Sequence, residues 1–316
     1  MPKKLRSLLD KTLTTKIIQD KELLNEARNI FEVRDSLIDD LENEIINSIK
    51  HLKKVLIVVN TVDEAIRIYK KYKKYVDNAI CYHSRFTQFD KFEKEEIITQ
   101  IDDNSSILLV ATQVVEVSLD IDFDILFTEN APIDAIIQRA GRINRKRKKN
   151  NTKVVVFKHQ EVTEKYVYSE NKILENTFNI LKENNNKRLT EKQLNQLVDE
   201  VYRNIDIENT ESYKEGLNKY SEIQKSLSYI KDNHSSKEVF TREGLDSISV
   251  IPFMFYENLT SKTIKEKSKY EISIRRSRYF TVKREKDDDG FKYVDYRYDN
   301  EVGLTFEKGS PISKSL

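Results

Sequence analysis

Val55-Leu56-Ile57-Val58-Val59 is the stretch on which the fold of this chain turns. An unbroken run of aliphatic, mostly β-branched residues reads as a strand covered on both faces, as in a parallel sheet. A strand with one wet face would alternate instead. Outward from it, residues 62–75 recur at helical spacing, and Ala79-Ile80-Cys81-Tyr82 is a second short strand. Thr87 is placed to cap a helix running to about Ile101. Residues 106–111 form a third strand and residues 125–127 a fourth. Pro132 suits the first turn of a helix through Gln138, and residues 153–157 are a fifth strand. Strands alternating with helices imply crossover connections, hence an α/β fold with a mostly parallel sheet and helices on both faces. Ligands of such sheets gather at the carboxyl ends of the strands. Chemistry is therefore expected in the loops after Val59, Tyr82, Ala111 and Phe127.

On either side the pattern differs. Residues 21–53 read as one helix, with Leu23, Leu24, Ala27, Ile30, Phe31, Leu37, Leu41 and Ile45 near helical spacing. Residues 163–184 also look helical. Thr190-Glu191-Lys192-Gln193 has capping-box form before a helix to about Asn204, and residues 210–230 read as another helix. Strands return over 248–251, 270–285 and 291–298, with a hairpin-turn signal at Asp287-Asp288-Asp289-Gly290. The division that follows is a helical lead-in over 1–50, the parallel-sheet domain over 51–160, a helical region over 161–240 and a β-rich domain over 241–316. The part beyond the sheet domain is a mixed α+β C-terminal region.

Composition excludes several classes. The 316 residues leave room for two domains of ordinary size, so neither disulfides nor metal are needed for stability. The single cysteine and four scattered histidines offer no metal-ligand spacing. A reducing, intracellular setting fits. Net charge is only +2 although 34% of residues are charged, so local clusters must carry any argument about partners. No apolar stretch approaches a membrane span, and the basic start Met1-Pro2-Lys3-Lys4-Leu5-Arg6 lacks the apolar core of a signal peptide. A soluble cytoplasmic protein with no membrane partner is expected.

The strongest chemical signal is Gln138-Arg139-Ala140-Gly141-Arg142-Ile143-Asn144-Arg145. Several guanidinium groups cluster near one helix end, each a fixed charge whose planar donor fork matches phosphate oxygens. Gly141 would let the backbone turn or approach closely. A basic, solvated helix end that favours its own dipole has the same composition, and these residues alone leave both readings open. So does the continuing run Lys146–Lys149, a DNA-facing patch or a solvated loop. Asp120, Asp122 and Asp124 alternate into a strand and read as structural rather than as a metal site. Thr61 and Ser84 alone read as caps, and His83 as a satisfied loop histidine.

In order along the chain, these segments resemble a known set. Residues 138–145 resemble motif VI of superfamily 2 helicases, and residues 110–124 resemble motif V. With Asn130-Ala131-Pro132-Ile133-Asp134 following, the form is similar to the CRISPR-associated helicase–nuclease of type I interference systems. Residues 55–62 resemble motif IV, Tyr82-His83-Ser84-Arg85-Phe86 the family's next DNA-contacting segment, and Tyr298-Asp299-Asn300-Glu301-Val302-Gly303-Leu304 its closing strand. The resemblance implies a second RecA-like domain followed by a C-terminal domain. It makes Arg142 and Arg145 arginine fingers, has Gln138 position phosphate or attacking water, and gives Arg139 a bracing role. It brings Asp120 to the nucleotide's ribose, and Thr112 and Gln113 to a nucleic-acid phosphate or to a link between the two sites. It lays Thr61, Ser84 and Arg85 along the single strand. Short hydroxyls and backbone amides can grip phosphates without reading bases, as a translocating motor requires.

The complementary parts are not in the sequence. There is no Gly-x-x-x-x-Gly-Lys-Ser/Thr, no Asp-Glu-x-His or Asp-Glu-Ala-Asp quartet, and no paired His-Asp step. ATP is therefore expected to be shared with a first RecA-like half, with Mg²⁺ bound only through that half. The expected partners are single-stranded DNA, that ATP-binding half or subunit, and a CRISPR surveillance complex. Alone, the chain is expected to be inactive. Two other readings are a non-catalytic nucleic-acid-binding remnant and the second half of a different superfamily 2 helicase.

Overall fold

The structure is a computed structural model that describes residues 20–52, 54–102, 105–118, 121–168, 171–210, 213–214, 216–218, 247–282, 284–286 and 290–308. Its centre is the stretch that opened the sequence. Strand β2 (Lys54–Val58) is buried throughout and runs parallel to β4 (Ile107–Ala111) on one side and β5 (Ile125–Glu129) on the other. With β1 (Ala27–Arg34), β3 (Ala79–Tyr82), β6 (Lys153–Phe157) and β7 (Lys187–Thr190), these build a seven-stranded sheet of order β3-β4-β2-β5-β6-β1-β7. Only the β1–β7 pair is antiparallel.

The sheet is covered on both faces, which is why its strands carry apolar residues at successive positions. Leu56 and Val58 point into a core shared with α6 (Ile133–Ala140), α8 (Asn171–Glu183) and α9 (Glu191–Tyr202). Val55, Ile57 and Val59 point the other way, into a core shared with α2 (Glu42–His51) and α3 (Val62–Tyr72). The remaining helices of this part are α1 (Lys21–Asn25), α4 (Gln88–Gln100), α5 (Val115–Ser118) and α7 (Glu161–Tyr166). Caps expected from sequence are present. The Thr87 hydroxyl accepts from the Asp90 amide at 3.0 Å to start α4. At α9, Thr190 accepts from the Gln193 amide at 3.2 Å while the Gln193 side chain accepts from the Thr190 amide at 2.8 Å.

The single helix expected over 21–53 is corrected to helix, strand, helix. Asp20 caps the short α1, which ends at the extended Glu26. Residues 27–34 then enter the sheet between β6 and β7, with Phe31 and Val33 both buried. Their apolar spacing satisfies a helix or a strand, and the hydrogen bonds of two neighbouring strands decide it. The boundaries drawn at 50 and 160 thus fall within one continuous sheet, which takes strands from 27–34 and 187–190. The helix expected over 163–184 is two helices, α7 and α8. Most of the helix expected over 210–230 lies outside the described residues.

The C-terminal region holds β8 (Ser247–Pro252), β9 (Ile272–Arg275), β10 (Arg284–Lys286) and β11 (Lys292–Val294) in a four-stranded sheet of order β10-β11-β8-β9. A hairpin of β12 (Tyr296–Asp299) and β13 (Gly303–Lys308) stands apart from it. Three short helices, α10 (Tyr256–Leu259), α11 (Ile264–Ser268) and α12 (Arg276–Tyr279), fill the connections. The long strand expected over 270–285 is therefore split by α12, and that over 291–298 is divided between two sheets. The signal at 287–290 does separate an antiparallel pair, β10 and β11, and Gly290 has φ +84°. Val250, Ile272, Tyr296, Tyr298, Val302 and Leu304 join the same core as α2 and α3, so this region completes one face of the central sheet. Among the described residues, no helix is long and apolar enough to cross a membrane.

Candidate functional site

Arg139 is the largest fully buried side chain of the described structure. Its guanidinium donates to Glu116 Oε1 at 2.9 Å, Thr128 Oγ1 at 2.9 Å, the Glu129 carbonyl at 3.2 Å and Asn60 Oδ1 at 3.0 Å. One residue of α6 thus ties the ends of β2 and β5 to α5. Glu129 extends the network, accepting from the Asn60 amide at 2.8 Å and the Gln160 amide at 3.1 Å. The Asn60 side chain donates to the Asn130 carbonyl at 2.9 Å. A buried cation is tolerable only with such complete pairing. Arg139 braces, as the sequence suggested, and has no donor left for a ligand.

The three side chains expected at the nucleotide lie nearer the surface. Gln138 and Arg145 are exposed and Arg142 is half-buried. The turn that presents them is held by backbone. Ile143 bridges to Phe123, the Phe123 amide donates to the Arg142 carbonyl at 3.1 Å, and the Asn144 amide donates to the Phe123 carbonyl at 3.2 Å. The Arg145 amide donates to Asp122 Oδ1 at 2.8 Å, and the Arg142 guanidinium donates to the Glu116 carbonyl. Gly141 has an ordinary helical φ of −61°, so it does not supply the turn. The left-handed residue is Asn144, at φ +49°, a conformation asparagine tolerates. Phe123 lies two residues before β5, so Arg142 and Arg145 lie toward the amino end of that strand. The expectation that all the chemistry sits at carboxyl ends is corrected for these two.

Asp120 lies outside the described residues. Asp122 and Asp124 hold structure. Besides Arg145, Lys149 Nζ reaches the Asp122 carbonyl at 2.9 Å and Asp124 Oδ1 at 2.7 Å, and the Lys54 amide donates to Asp124 Oδ2 at 2.8 Å. Within the basic run, Lys149 is thereby engaged, and Arg147 pairs with Glu26.

The residues expected along a single strand do gather at the carboxyl edge of the sheet. Thr61 follows β2 and caps α3, accepting from the Glu64 amide at 3.3 Å. Gln113, after β4, donates to the Asn60 carbonyl at 3.2 Å, joining its loop to that of Thr61. Thr112 is buried, its amide on the Tyr82 carbonyl at 3.3 Å. Beyond β3, Ser84 is exposed, while the Arg85 side chain is only 16% exposed, pairs with Asp63 and lies over the Phe306 ring at 4.2 Å. His83 is fully buried and stacked on Phe86 with centroids 4.4 Å apart. Burial, with the Arg85 and Lys94 charges adding, pushes its pKa down to about 3, so it is neutral. Its Nδ1 accepts from the Arg85 amide at 3.2 Å.

Sequence reasoning missed Asn60, Glu116, Glu129, Asn130 and Tyr168, whose hydroxyl accepts from Arg139 at 3.4 Å. A signal existed for three of them: Asn60 and Glu129-Asn130 are polar residues at or just past the carboxyl ends of fully buried strands, where a buried side chain must find partners. Nothing in sequence marks Glu116 or Tyr168 as their neighbours.

The fold defines the class, a RecA-like α/β domain with an appended mixed C-terminal region. Residues 51–148 match the family model for the C-terminal part of the CRISPR-associated nuclease/helicase Cas3. A putative Cas3 nuclease/helicase of Methanocaldococcus jannaschii is 35% identical over 176 residues, which cover 54% of this chain and 24% of that protein. The crystal structure of T. fusca Cas3 with ADP superposes with a TM-score of 0.65 at 17% identity, covering 94% of this chain and 43% of the other. A chain of a CRISPR RNA-guided surveillance complex in a pre-nicking state gives 0.60 at 18% identity, covering 89% and 45%. The chain is thus similar to the C-terminal part of Cas3 nuclease/helicases, in sequence over residues 51–148 and in fold over most of its length. It spans about a quarter of the length of the curated relatives it matches.

Proposed function

We propose that this chain is the second motor half of an ATP-dependent single-stranded-DNA translocase in CRISPR antiviral defence. It works only against a first RecA-like half that holds ATP and Mg²⁺. The observation that carries the reading is the division of labour within residues 138–145. Arg139 is wholly buried in a bracing network, whereas Gln138 and Arg145 are exposed and Arg142 is half-buried on the adjoining turn. A group that merely stabilises its own helix end has no need of a buried strut to aim it. Bound between the halves, ATP supplies the phosphoryl group on which negative charge develops. Arg142 and Arg145 supply fixed positive charge toward it, and Gln138 orients a phosphate oxygen or the attacking water. Asp120 completes the nucleotide side of the site by approaching the ribose.

Thr61, Ser84 and Arg85 lie along the strand's phosphates at the carboxyl edge, and Thr112 and Gln113 contact a phosphate or link the two sites. The Asn60 carbonyl, bonded by Gln113, and the Asn60 side chain, bonded by Arg139, connect that edge to the arginine turn. The ADP in the T. fusca Cas3 structure supports a nucleotide in the whole motor, and the surveillance-complex neighbour supports a recruiting CRISPR complex.

The test mixes this chain with an ATP-binding first half and single-stranded DNA. ATP hydrolysis is expected to appear, and Arg142→Ala or Arg145→Ala to reduce it by about 10³-fold or more. Undiminished hydrolysis in both variants would falsify the assignment. Equal strand displacement on RNA and DNA would point instead to another superfamily 2 motor. Salt-sensitive DNA binding without any hydrolysis would point to a non-catalytic module.

A further inference from the structure

The hairpin β12–β13 lies over two hundred residues from the loop 83–87, yet the two are built together. The Leu304 amide donates to the Arg85 carbonyl at 2.9 Å. Gly303 has φ +70°, and a Cβ there would stand 2.6 Å from the Arg85 carbonyl oxygen and 3.1 Å from both His83 Cε1 and Phe86 Cδ1. Any side chain at 303 must therefore push the loop away, on top of the strain of a left-handed backbone. One hairpin strand earlier, the Tyr298 hydroxyl accepts from the Thr87 amide at 3.2 Å and bonds the Asp90 carboxylate. That fixes the end of the loop where α4 begins. The Phe306 ring, finally, is faced by the Arg85 guanidinium at 4.2 Å and the Arg278 guanidinium at 4.6 Å.

Backbone, hydroxyl and ring contacts from one hairpin thus determine where the loop runs and where Arg85 points. An exposed loop would otherwise lose this freedom only on binding, at a cost in affinity. We infer that β12–β13 is a positioning element for nucleic-acid binding, with Gly303 and Tyr298 setting the Arg85 side chain against the phosphate backbone of a single strand. The inference rests on the reading above in which Arg85 contacts that strand. Gly303 and Tyr298 touch no nucleic acid themselves and act through Arg85.

The experiment measures binding of a fluorescein-labelled 30-nucleotide oligothymidylate to the full chain by anisotropy, as a function of salt. Arg85→Ala is expected to weaken binding about 10-fold and to make the log–log salt slope shallower by about 0.7, the signature of one lost phosphate contact. Gly303→Ala should weaken it by about 5–10-fold with the same change in slope. In the Arg85→Ala background it should cost no more than about 2-fold, because residues acting through a common partner are not additive. Tyr298→Phe, which removes only a hydroxyl, should lose about 3-fold in the wild-type background and nothing beside Arg85→Ala. It keeps the test decisive where Gly303→Ala does not fold. Full affinity in Gly303→Ala or Tyr298→Phe, with Arg85→Ala weakened, overturns the inference and leaves the proposed function standing. So does a multiplicative loss in the double variant, which marks a general structural effect. Unchanged affinity in Arg85→Ala overturns the strand contact itself.

Discussion

The two faces of the central sheet are closed by material from different distances along the chain. One face is covered by α6, α8 and α9, helices that follow closely on its strands in sequence. The other is covered by α2, α3 and then by strands and a hairpin from beyond residue 246. The site residues divide accordingly. Arg142 and Arg145 sit on a turn that backbone bonds hold to Phe123, and Gln138 beside it adjoins the Arg139 strut, with Glu116, Thr128 and Asn60 as its footing. The loop carrying Ser84 and Arg85 is shaped by Tyr298, Gly303 and Phe306. Of these, Tyr298 bonds Thr87 across 211 positions. Where the covering is local, a motif carries its own support. Where it is distant, the motif names the residues without fixing their form.

The contrast can be tested at decreasing strength. Arg139→Ala leaves the Glu116 carboxylate and the Asn60 side chain without their buried donor, and is expected to cost about 3–5 kcal/mol, read as a fall in denaturant midpoint. A loss below about 1 kcal/mol would mean that the arginine turn is not held by this strut. On the other face, His83 provides a pH-dependent measure. Its folded pKa of about 3 lies below the ordinary 6.5. As pH falls through 6.5 the unfolded chain takes up a proton that the folded chain refuses, so stability is full above that value and is lost progressively down to about 3. At pH 5 the loss from this group is about 2 kcal/mol, and His83→Gln should flatten the stability profile between pH 7 and 5 by that amount. A wild-type profile with no such slope would show His83 to be reachable by water, and the hairpin's closure over it incomplete. The smallest effect belongs to α9, whose capping box is local in the strictest sense. Thr190→Ala should cost about 1 kcal/mol by thermal unfolding and leave the proposed DNA binding as in the wild type. Altered binding would mean that the first face communicates with the carboxyl edge of the sheet.

Much of this molecule was legible in its residues. The runs at 55–59, 106–111 and 153–157 could be placed as parallel strands to within a residue, because a strand buried on both faces has no alternative partner for so many apolar groups. Thr87 and Thr190 announced their helices through cap chemistry, which depends on neighbours only three positions away. Residues 27–34 were not legible. Their apolar spacing also suits a helix, and only β6 and β7 on either side made them a strand. Nor were the divisions at Arg276 and Asp295, where short segments take their conformation from whichever sheet they meet.

For the candidate site, the order of the segments along the chain, and the resemblance it carries, names the side chains on which the proposal rests. It singled out the arginines and glutamine of 138–145 and the hydroxyls and basic group of Thr61, Ser84 and Arg85, since their order and spacing are covalent facts. Where each of them sits depends on the tertiary structure. It buried Arg139 and left Arg145 exposed, six residues on. It set the arginine turn at the amino end of β5 rather than at the carboxyl edge. It required a glycine at 303 because a carbonyl oxygen, supplied by a residue more than two hundred places earlier, occupies the space where a Cβ would stand. Exclusion of that kind acts between surfaces that meet only once the chain has folded, and no local pattern records it.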